Sequence, residues 1–354
     1  MNTITLQAHA KINPSLDVLA RRDDGYHEVR LIMQLIELHD FVILTWQEDS
    51  SGQAAQAESP DQTAQADASP LRIQLTCDDP QIPCDASNLA WKAAEAVAAA
   101  MQETGKPAPR GDLTIHIEKH IPMAAGLAGG SADGAACLLG CNALFGAGFT
   151  LPELLTIGAR LGADVPFAAM GAAYVNKELG MSEEPMAASC AVGEGTGTAL
   201  TVLPPVDAHV LLAKPPIGVS TAAAYQGVDA FLEDPGSGDT GAPQETAEPA
   251  AAPVHGVTRI HPDIDGIILA LNKHDLFSAL GKMGNTLELY TLKRYHEVVY
   301  TKCKIQEHVH KGAVLMSGSG PTVFLLTPDP EEAQTALQAL TEDTLTRILT
   351  RTVV

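Results

Sequence analysis

The stretch PMAAGLAGGSADGAA, residues 122–136, decides how this chain folds. It follows a strand-like run, LTIHIEK (residues 113–119), and opens a run of helix formers that ends at Phe145. Gly126, Gly129 and Gly130 let the backbone bend closely around a ligand, and small neighbours keep side chains out of the way. Ser131 is placed to cap the helix, whose first N–H groups would point back into the loop with the positive end of the helix dipole behind them. That arrangement holds a phosphate chain without a lysine. A strand-to-helix turn of small residues can also serve packing alone, so the loop has to be weighed with the rest of the chain. It is not a Walker A loop, because GxxxxGK[ST] does not occur. Nor does it carry the GxGxxG of a dinucleotide site.

Working outward, 354 residues suffice for two modest domains. Hydrophobic residues at 45% and charged ones at 18% place the chain among globular proteins. The formal charge of −21 argues against nucleic acid and anionic membranes as partners. Part of that excess is local. Residues 48–70 hold five acids and no Lys or Arg, and residues 233–257 hold five acids and no Lys or Arg. Both segments are rich in Ala, Ser, Gln, Gly and Pro and read as disordered inserts without chemistry. The six cysteines show no CxxC pair or zinc spacing, so no metal site is expected from them. Cys137 and Cys141, one helical turn apart, read as small core residues. The N-terminus lacks the features of a signal or transit peptide and no apolar run could span a bilayer, so a cytoplasmic location is expected.

The hydrophobic pattern alternates strands and helices. Strands are expected at 4–12, 15–20, 27–38 and 41–46, with 71–77 pairing with the last of these as a hairpin. Helices are expected at 87–102, 151–162, 220–232 (capped by Ser220), 263–278, 291–308 and 330–341. Further strands are expected at 209–215, within 313–326, and at 347–353. The reading is an α+β protein with domains at 1–175 and 176–354, the glycine loop in the first.

Three other segments carry candidate chemistry. AHAKIN (8–13) places Lys11 in an otherwise apolar strand, where desolvating an ammonium is costly without a partner; an edge lysine reaching solvent is the plain alternative. LGADVPF (161–167) sets Asp164 between a helix and Val165-Pro166, where an acid could simply terminate the helix. MSGSGPTVF (316–324) puts Gly318 and Gly320 between two strands, which alone is a hairpin-like turn.

Taken together and in this order, AKIN, PxxxGLxGGS and SGSGPTVF resemble the GHMP kinase superfamily, which phosphorylates small alcohols. With DGYHEV (24–29), GADVPF and KPPIGVSTAAAY (214–225), the chain is similar to the 4-diphosphocytidyl-2-C-methyl-D-erythritol kinase family over residues 3–324, apart from the two inserts. The resemblance implies a two-domain α+β fold of GHMP kinase type with the active site in the cleft between the domains. It implies ATP as co-substrate with Mg2+, a small-molecule substrate, and no obligate protein partner. Lys11 and Asp164 take the positions of the catalytic pair. Pro122, Met123, Ala124, Ala125, Gly126, Leu127, Ala128, Gly129, Gly130, Ser131 and Ala132 take those of the phosphate loop, and Asn88, Leu89 and Lys119 those of the adenine side. By the same resemblance, His27 hydrogen-bonds a cytosine between the rings of Tyr26 and Tyr225, Asn13 meets the methylerythritol hydroxyls, and Thr221 lies by the cytidine end. Ala124, Ala125 and Ala128 stand where some relatives have glycine, and Pro14 where an apolar residue is common. A homoserine or mevalonate kinase would have no use for a cytosine clamp. A nucleotide-binding regulator without catalysis would have no use for both Lys11 and Asp164.

Overall fold

The computed structural model describes residues 1–49, 71–233, 261–341, 343 and 345–354. The two low-complexity inserts fall almost wholly outside these. In chain order the elements are β1 (Asn2–Arg21), β2 (His27–Glu48), β3 (Leu71–Cys77), α1 (Leu89–Glu103), β4 (Gly111–Glu118), α2 (Gly129–Leu144), α3 (Leu151–Ala159) and α4 (Val165–Val175). They continue with β5 (Cys190–Gly195), β6 (Ala199–Val202), β7 (His209–Lys214), α5 (Thr221–Glu233), α6 (Ile264–Asn272), α7 (Leu276–Leu280) and β8 (Gly284–Asn285). Last come α8 (Glu288–Arg294), α9 (His296–Gln306), β9 (Ala313–Met316), β10 (Val323–Thr327), α10 (Pro330–Ala339) and β11 (Thr346–Arg351). Among the described residues no helix is long and apolar enough to cross a membrane.

The chain forms two compact units that interleave along the sequence. The first takes Met1–His9, His39–His120 and Gly129–Ala187; the second takes Ala10–Leu38, Ile121–Ala128 and Ala188–Val354.

In the first unit β4 alternates buried and exposed residues, as a strand with one covered face must. It pairs antiparallel with β2 (Leu44 opposite Ile115) and parallel with β3 (Leu113 opposite Ile73). The expected hairpin between 71–77 and 41–46 is therefore wrong, because β4 lies between those strands. β3, α1 and β4 form a βαβ crossover, the connection that parallel neighbours require. Leu113, Ile115 and Ile117 pack with Val42, Leu44 and the alanine face of α1. Helix α2 comes very close to the sheet at Gly140, where a methyl group would lie 2.3 Å from Leu44 Cδ1. Cys137 and Cys141 are buried in this core without a disulfide, their sulfurs 3.7 Å apart.

In the second unit β7, β9, β10 and β11 form an antiparallel sheet in the order β11-β7-β10-β9. Its centre, Val210–Leu212 against Leu325 and Leu326, is wholly apolar and buried. Parts of β1 and β2 also belong here, pairing with β8 and β5 respectively.

Some expected boundaries move. Residues 4–12 and 15–20 are one strand, as are 27–38 and 41–46. Asn13 and Asp40, which lie in the gaps between those segments, are buried and bonded inside the protein. The helix expected at 263–278 divides where His274 takes φ +55°, and Asp275 caps the second piece by accepting from Ser278 N at 3.0 Å. The one expected at 291–308 divides at extended Tyr295. Ser220 does cap α5, accepting from Ala223 N at 3.3 Å.

Candidate active site

The glycine loop splits into an anchored half and an exposed half. Ala125 and Leu127 sit in the core of the second unit, so only their backbones can meet a ligand. The carbonyl of Leu127 accepts from Lys11 N at 3.1 Å, which ties the loop to β1. Gly126 is required by both conformation and space. Its φ is +72°, and a methyl group there would lie 2.2 Å from the carbonyl oxygen of Ser317. Ser317 Oγ donates to the Gly126 carbonyl at 2.9 Å, so the loop rests directly on the serine-glycine turn after β9.

Ala124 (φ +47°) and Ala128 (φ +58°) are also left-handed, which costs an alanine roughly 1–2 kcal/mol each. Glycine would carry no such cost at either position. Pro122 is half-buried, and Met123 and Ala124 are exposed.

Helix α2 begins at Gly129, so Ser131 is its third residue and not its cap; this corrects the expected start. The two glycines adopt helical geometry themselves, moving the free first-turn N–H groups back to residues 129–131. Gly130 is exposed, and a methyl group there would meet no protein atom within 4 Å. Ala132 faces the core of the first unit.

Asn88 is the N-cap of α1, accepting from Ala90 N at 2.8 Å, and Leu89 packs against Gly134 of α2. Lys119 lies between two carboxylates: its Nζ pairs with Asp40 and, at 2.7 Å, with Asp133 Oδ2. Burial works against the Lys119 charge, but Asp133 and Asp40 together outweigh it and hold the ammonium above its ordinary range. Burial likewise pushes the Asp133 carboxyl up to about 7, against the pull of Lys119 and with the help of Asp40. Asp133 Oδ1 is buried without a hydrogen-bond partner. Asp40 also accepts from His120 N at 2.5 Å. Sequence reading overlooked Asp40 and Asp133, although an acid amid GGSADGAACLLG is a visible anomaly in so apolar a helix.

Lys11 does not run out to solvent; it is 6% exposed, and its Nζ donates to Asn13 Oδ1 at 2.7 Å. Asn13 is fully buried, with Nδ2 3.4 Å from the Ile32 carbonyl, so it braces the lysine against β2. Asp164 is the half-buried residue immediately before α4, in right-handed geometry, with its side chain making no capping bond to the helix. Helix α4 itself was missed, although Asp followed by Val-Pro is a recognisable helix start.

The last cluster lies on β2 and α5. His27 Nε2 is 2.7 Å from Asp229 Oδ1, and the His27 and Tyr225 rings are 5.0 Å apart. Tyr26 is 66% exposed. Thr221 Oγ1 lies 3.0 Å from Ser319 Oγ, linking the start of α5 to the serine-glycine turn. That turn is held from below as well: Asn285 Nδ2 donates to the carbonyls of Met316 and Gly318, each at 2.8 Å.

Residues 88–172 match the family model of the GHMP kinases N terminal domain, and residues 267–344 that of the GHMP kinases C terminal. A 4-diphosphocytidyl-2-C-methyl-D-erythritol kinase of Lachnospira eligens is 34% identical, covering 96% of this chain and 93% of its own. The kinase of that name from Geobacillus kaustophilus is 35% identical over 95% and 92%, and one from a Synechococcus strain 38% over 98% and 91%. Among solved structures, a 4-(cytidine 5'-diphospho)-2C-methyl-D-erythritol kinase shares the fold with TM-score 0.66 at 24% identity, covering 99% of this chain and all of its own. A homoserine kinase from Cytophaga hutchinsonii shares it with TM-score 0.63 at 16% identity, covering 100% of this chain and 95% of its own. The fold alone therefore does not separate these kinases, whereas identity along nearly the whole chain does. By that measure the chain belongs to the 4-diphosphocytidyl-2-C-methyl-D-erythritol kinase family of the GHMP kinases.

Proposed function

We propose that the protein transfers the γ-phosphoryl group of ATP to the C2 hydroxyl of 4-diphosphocytidyl-2-C-methyl-D-erythritol, releasing ADP and the 2-phosphate. The observation that carries this reading is identity of 34–38%, over more than nine-tenths of each chain, to kinases named for that substrate. Phosphoryl transfer needs in-line positioning and neutralisation of charge on the transferred group. The first turn of α2, open at Gly130, offers backbone N–H groups and the positive helix end to the triphosphate. Asp164 orients the hydroxyl and accepts its proton late in the transfer. Lys11, braced by Asn13, steadies charge near the γ-phosphoryl.

Magnesium fits as the ion carried by the nucleotide, held mainly by phosphate oxygens and water. The glycine loop supplies N–H donors, which bind phosphate and not metal. Among the described residues no group of three or more His, Cys, Asp or Glu side chains is gathered to hold a cation, and no protein ligand is assigned. His27, Tyr26 and Tyr225 recognise the cytosine, with Thr221 beside the cytidine end and Asn13 toward the methylerythritol. Asn88, Leu89 and Lys119 border the adenine side. A cytoplasmic enzyme working on small molecules without a protein partner accords with this chemistry.

ADP release, measured with the cytidylyl substrate, homoserine and mevalonate side by side, tests the reading. Turnover of the first at least a hundredfold above the other two is expected. Preference for either of the others would overturn it.

A further inference from the structure

Helix α5 turns two side chains toward one imidazole. Tyr225 and Asp229 are four residues apart, so they share a face of the helix. Both meet His27, the first residue of β2: the tyrosine ring at 5.0 Å between centroids, with the planes 35° apart, and the carboxylate at 2.7 Å from Nε2. The His27 and Asp229 side chains are only 8% and 16% exposed, so water competes weakly for this bond. Arg21 Nη1, 3.9 Å from Asp229 Oδ2, supplies positive charge behind the carboxylate. Helix α5 is seated by Gly227, where a methyl group would fall 1.9 Å from the Tyr290 ring, and by Lys293 Nζ, 4.1 Å above the Phe231 ring.

An ionised carboxylate can only accept hydrogen bonds, so the proton of the 2.7 Å bond belongs to His27 Nε2. In a neutral imidazole the other nitrogen, Nδ1, then carries a lone pair. Cytosine presents an amino donor at the ring position where uracil presents a carbonyl acceptor. A fixed acceptor therefore welcomes the first base and opposes the second.

We propose that Asp229 is a positioning residue that sets base specificity: it locks His27 as the Nε2–H tautomer, so that Nδ1 accepts from the exocyclic amino group of cytosine and rejects uracil. This rests on the reading of His27 as the residue that meets the base. Tyr225, from the same helix face, adds a ring that accepts either base by stacking, so it contributes affinity while the His27–Asp229 pair contributes choice.

Two measurements on the full-length protein test the proposal. Long-range 1H–15N correlation spectra at pH 8, with the His27 signals assigned by their loss in His27→Gln, read the tautomer without any substrate. The wild type is expected to show Nε2–H alone, whereas Asp229→Asn, whose amide can either donate or accept, should show a mixture. The second measurement compares kcat/KM for the cytidylyl substrate and its uridylyl analogue. The wild type should prefer cytidylyl by at least ~10²-fold, because a site built for a hydrogen bond rejects the analogue that cannot make it. In Asp229→Asn the preference should fall below about tenfold, with the KM for ATP unchanged as the control for folding.

An Nδ1–H or doubly protonated His27 in the wild type, or undiminished preference in Asp229→Asn, overturns the proposal while leaving the kinase reading intact. Turnover of homoserine or mevalonate in place of both cytidylyl and uridylyl compounds overturns the two together.

Discussion

In the proposed reaction three single residues bear on the chemistry, and two of them, Asp164 and Gly130, have a test of their own. In that proposed reaction Asp164, at the start of α4, orients the substrate hydroxyl and accepts its proton. Asp164→Asn is accordingly expected to lower kcat by at least ~10²-fold with little change in either KM, the signature of a positioned base; near-normal kcat would remove Asp164 from the reaction. From its own segment Lys11 was legible as an oddity, a cation within an apolar strand, and only the resemblance gave it a catalytic position; the structure shows a buried ammonium leaning on Asn13. Gly130 separates ligand binding from packing. It is helical, exposed and uncrowded, so nothing in the protein demands a glycine there. Gly130→Ala should raise Tm, since alanine is better than glycine in a helix by about 1 kcal/mol. It should also raise KM for ATP roughly tenfold, because the added methyl stands where phosphate must approach closely. A raised Tm with unchanged KM would place the triphosphate elsewhere.

Among the elements, the glycine loop and the turn after β9 form one device. Gly126 combines φ +72° with a carbonyl 2.2 Å from its missing Cβ. Gly126→Ala must therefore shift backbone on both sides, and a loss of roughly 1–3 kcal/mol in unfolding free energy is expected by denaturant titration. The Asp40–Lys119–Asp133 triad makes the start of α2 sensitive to pH. With Asp133 raised by burial to about 7 from an ordinary value of 3.8, the folded protein holds a proton that the unfolded chain has lost. Stability from this group is thus present at low pH and declines as pH rises through that window, levelling off above about 7. Asp133→Asn should flatten this segment of the stability–pH curve; an unaltered slope would contradict the assignment. The sequence showed the strand-to-helix loop, the Ser220 cap and the buried strands of the second sheet, because each is announced by local pattern. It did not show that β4 lies between β2 and β3, since pairing partners follow from the α1 crossover and not from strand composition. Nor could it place Ser131 correctly, because two consecutive glycines read as loop and yet fold as the first turn of α2.

At the scale of the molecule, the two units are assembled from alternating pieces of chain, with segments 10–38 and 121–128 going to the second. That interleaving is invisible in hydropathy, which sees neighbours along the chain and not across a sheet. The candidate site residues sit in short motifs whose chemistry is local, whereas the fold's connections depend on residues far apart in the chain. Asp229 escaped notice for the opposite reason: its meaning depends on His27, which lies 202 positions away. In the proposed reaction one alcohol oxygen, the C2 hydroxyl of a cytidylyl substrate, receives the γ-phosphoryl group of ATP. 31P NMR of the reaction with purified protein, ATP, magnesium and 4-diphosphocytidyl-2-C-methyl-D-erythritol tests it most directly. A new phosphomonoester resonance coupled to the methyl-bearing carbon, appearing in step with ADP, is the expected result. ADP formation without that resonance, or a phosphate on any other hydroxyl, would contradict it.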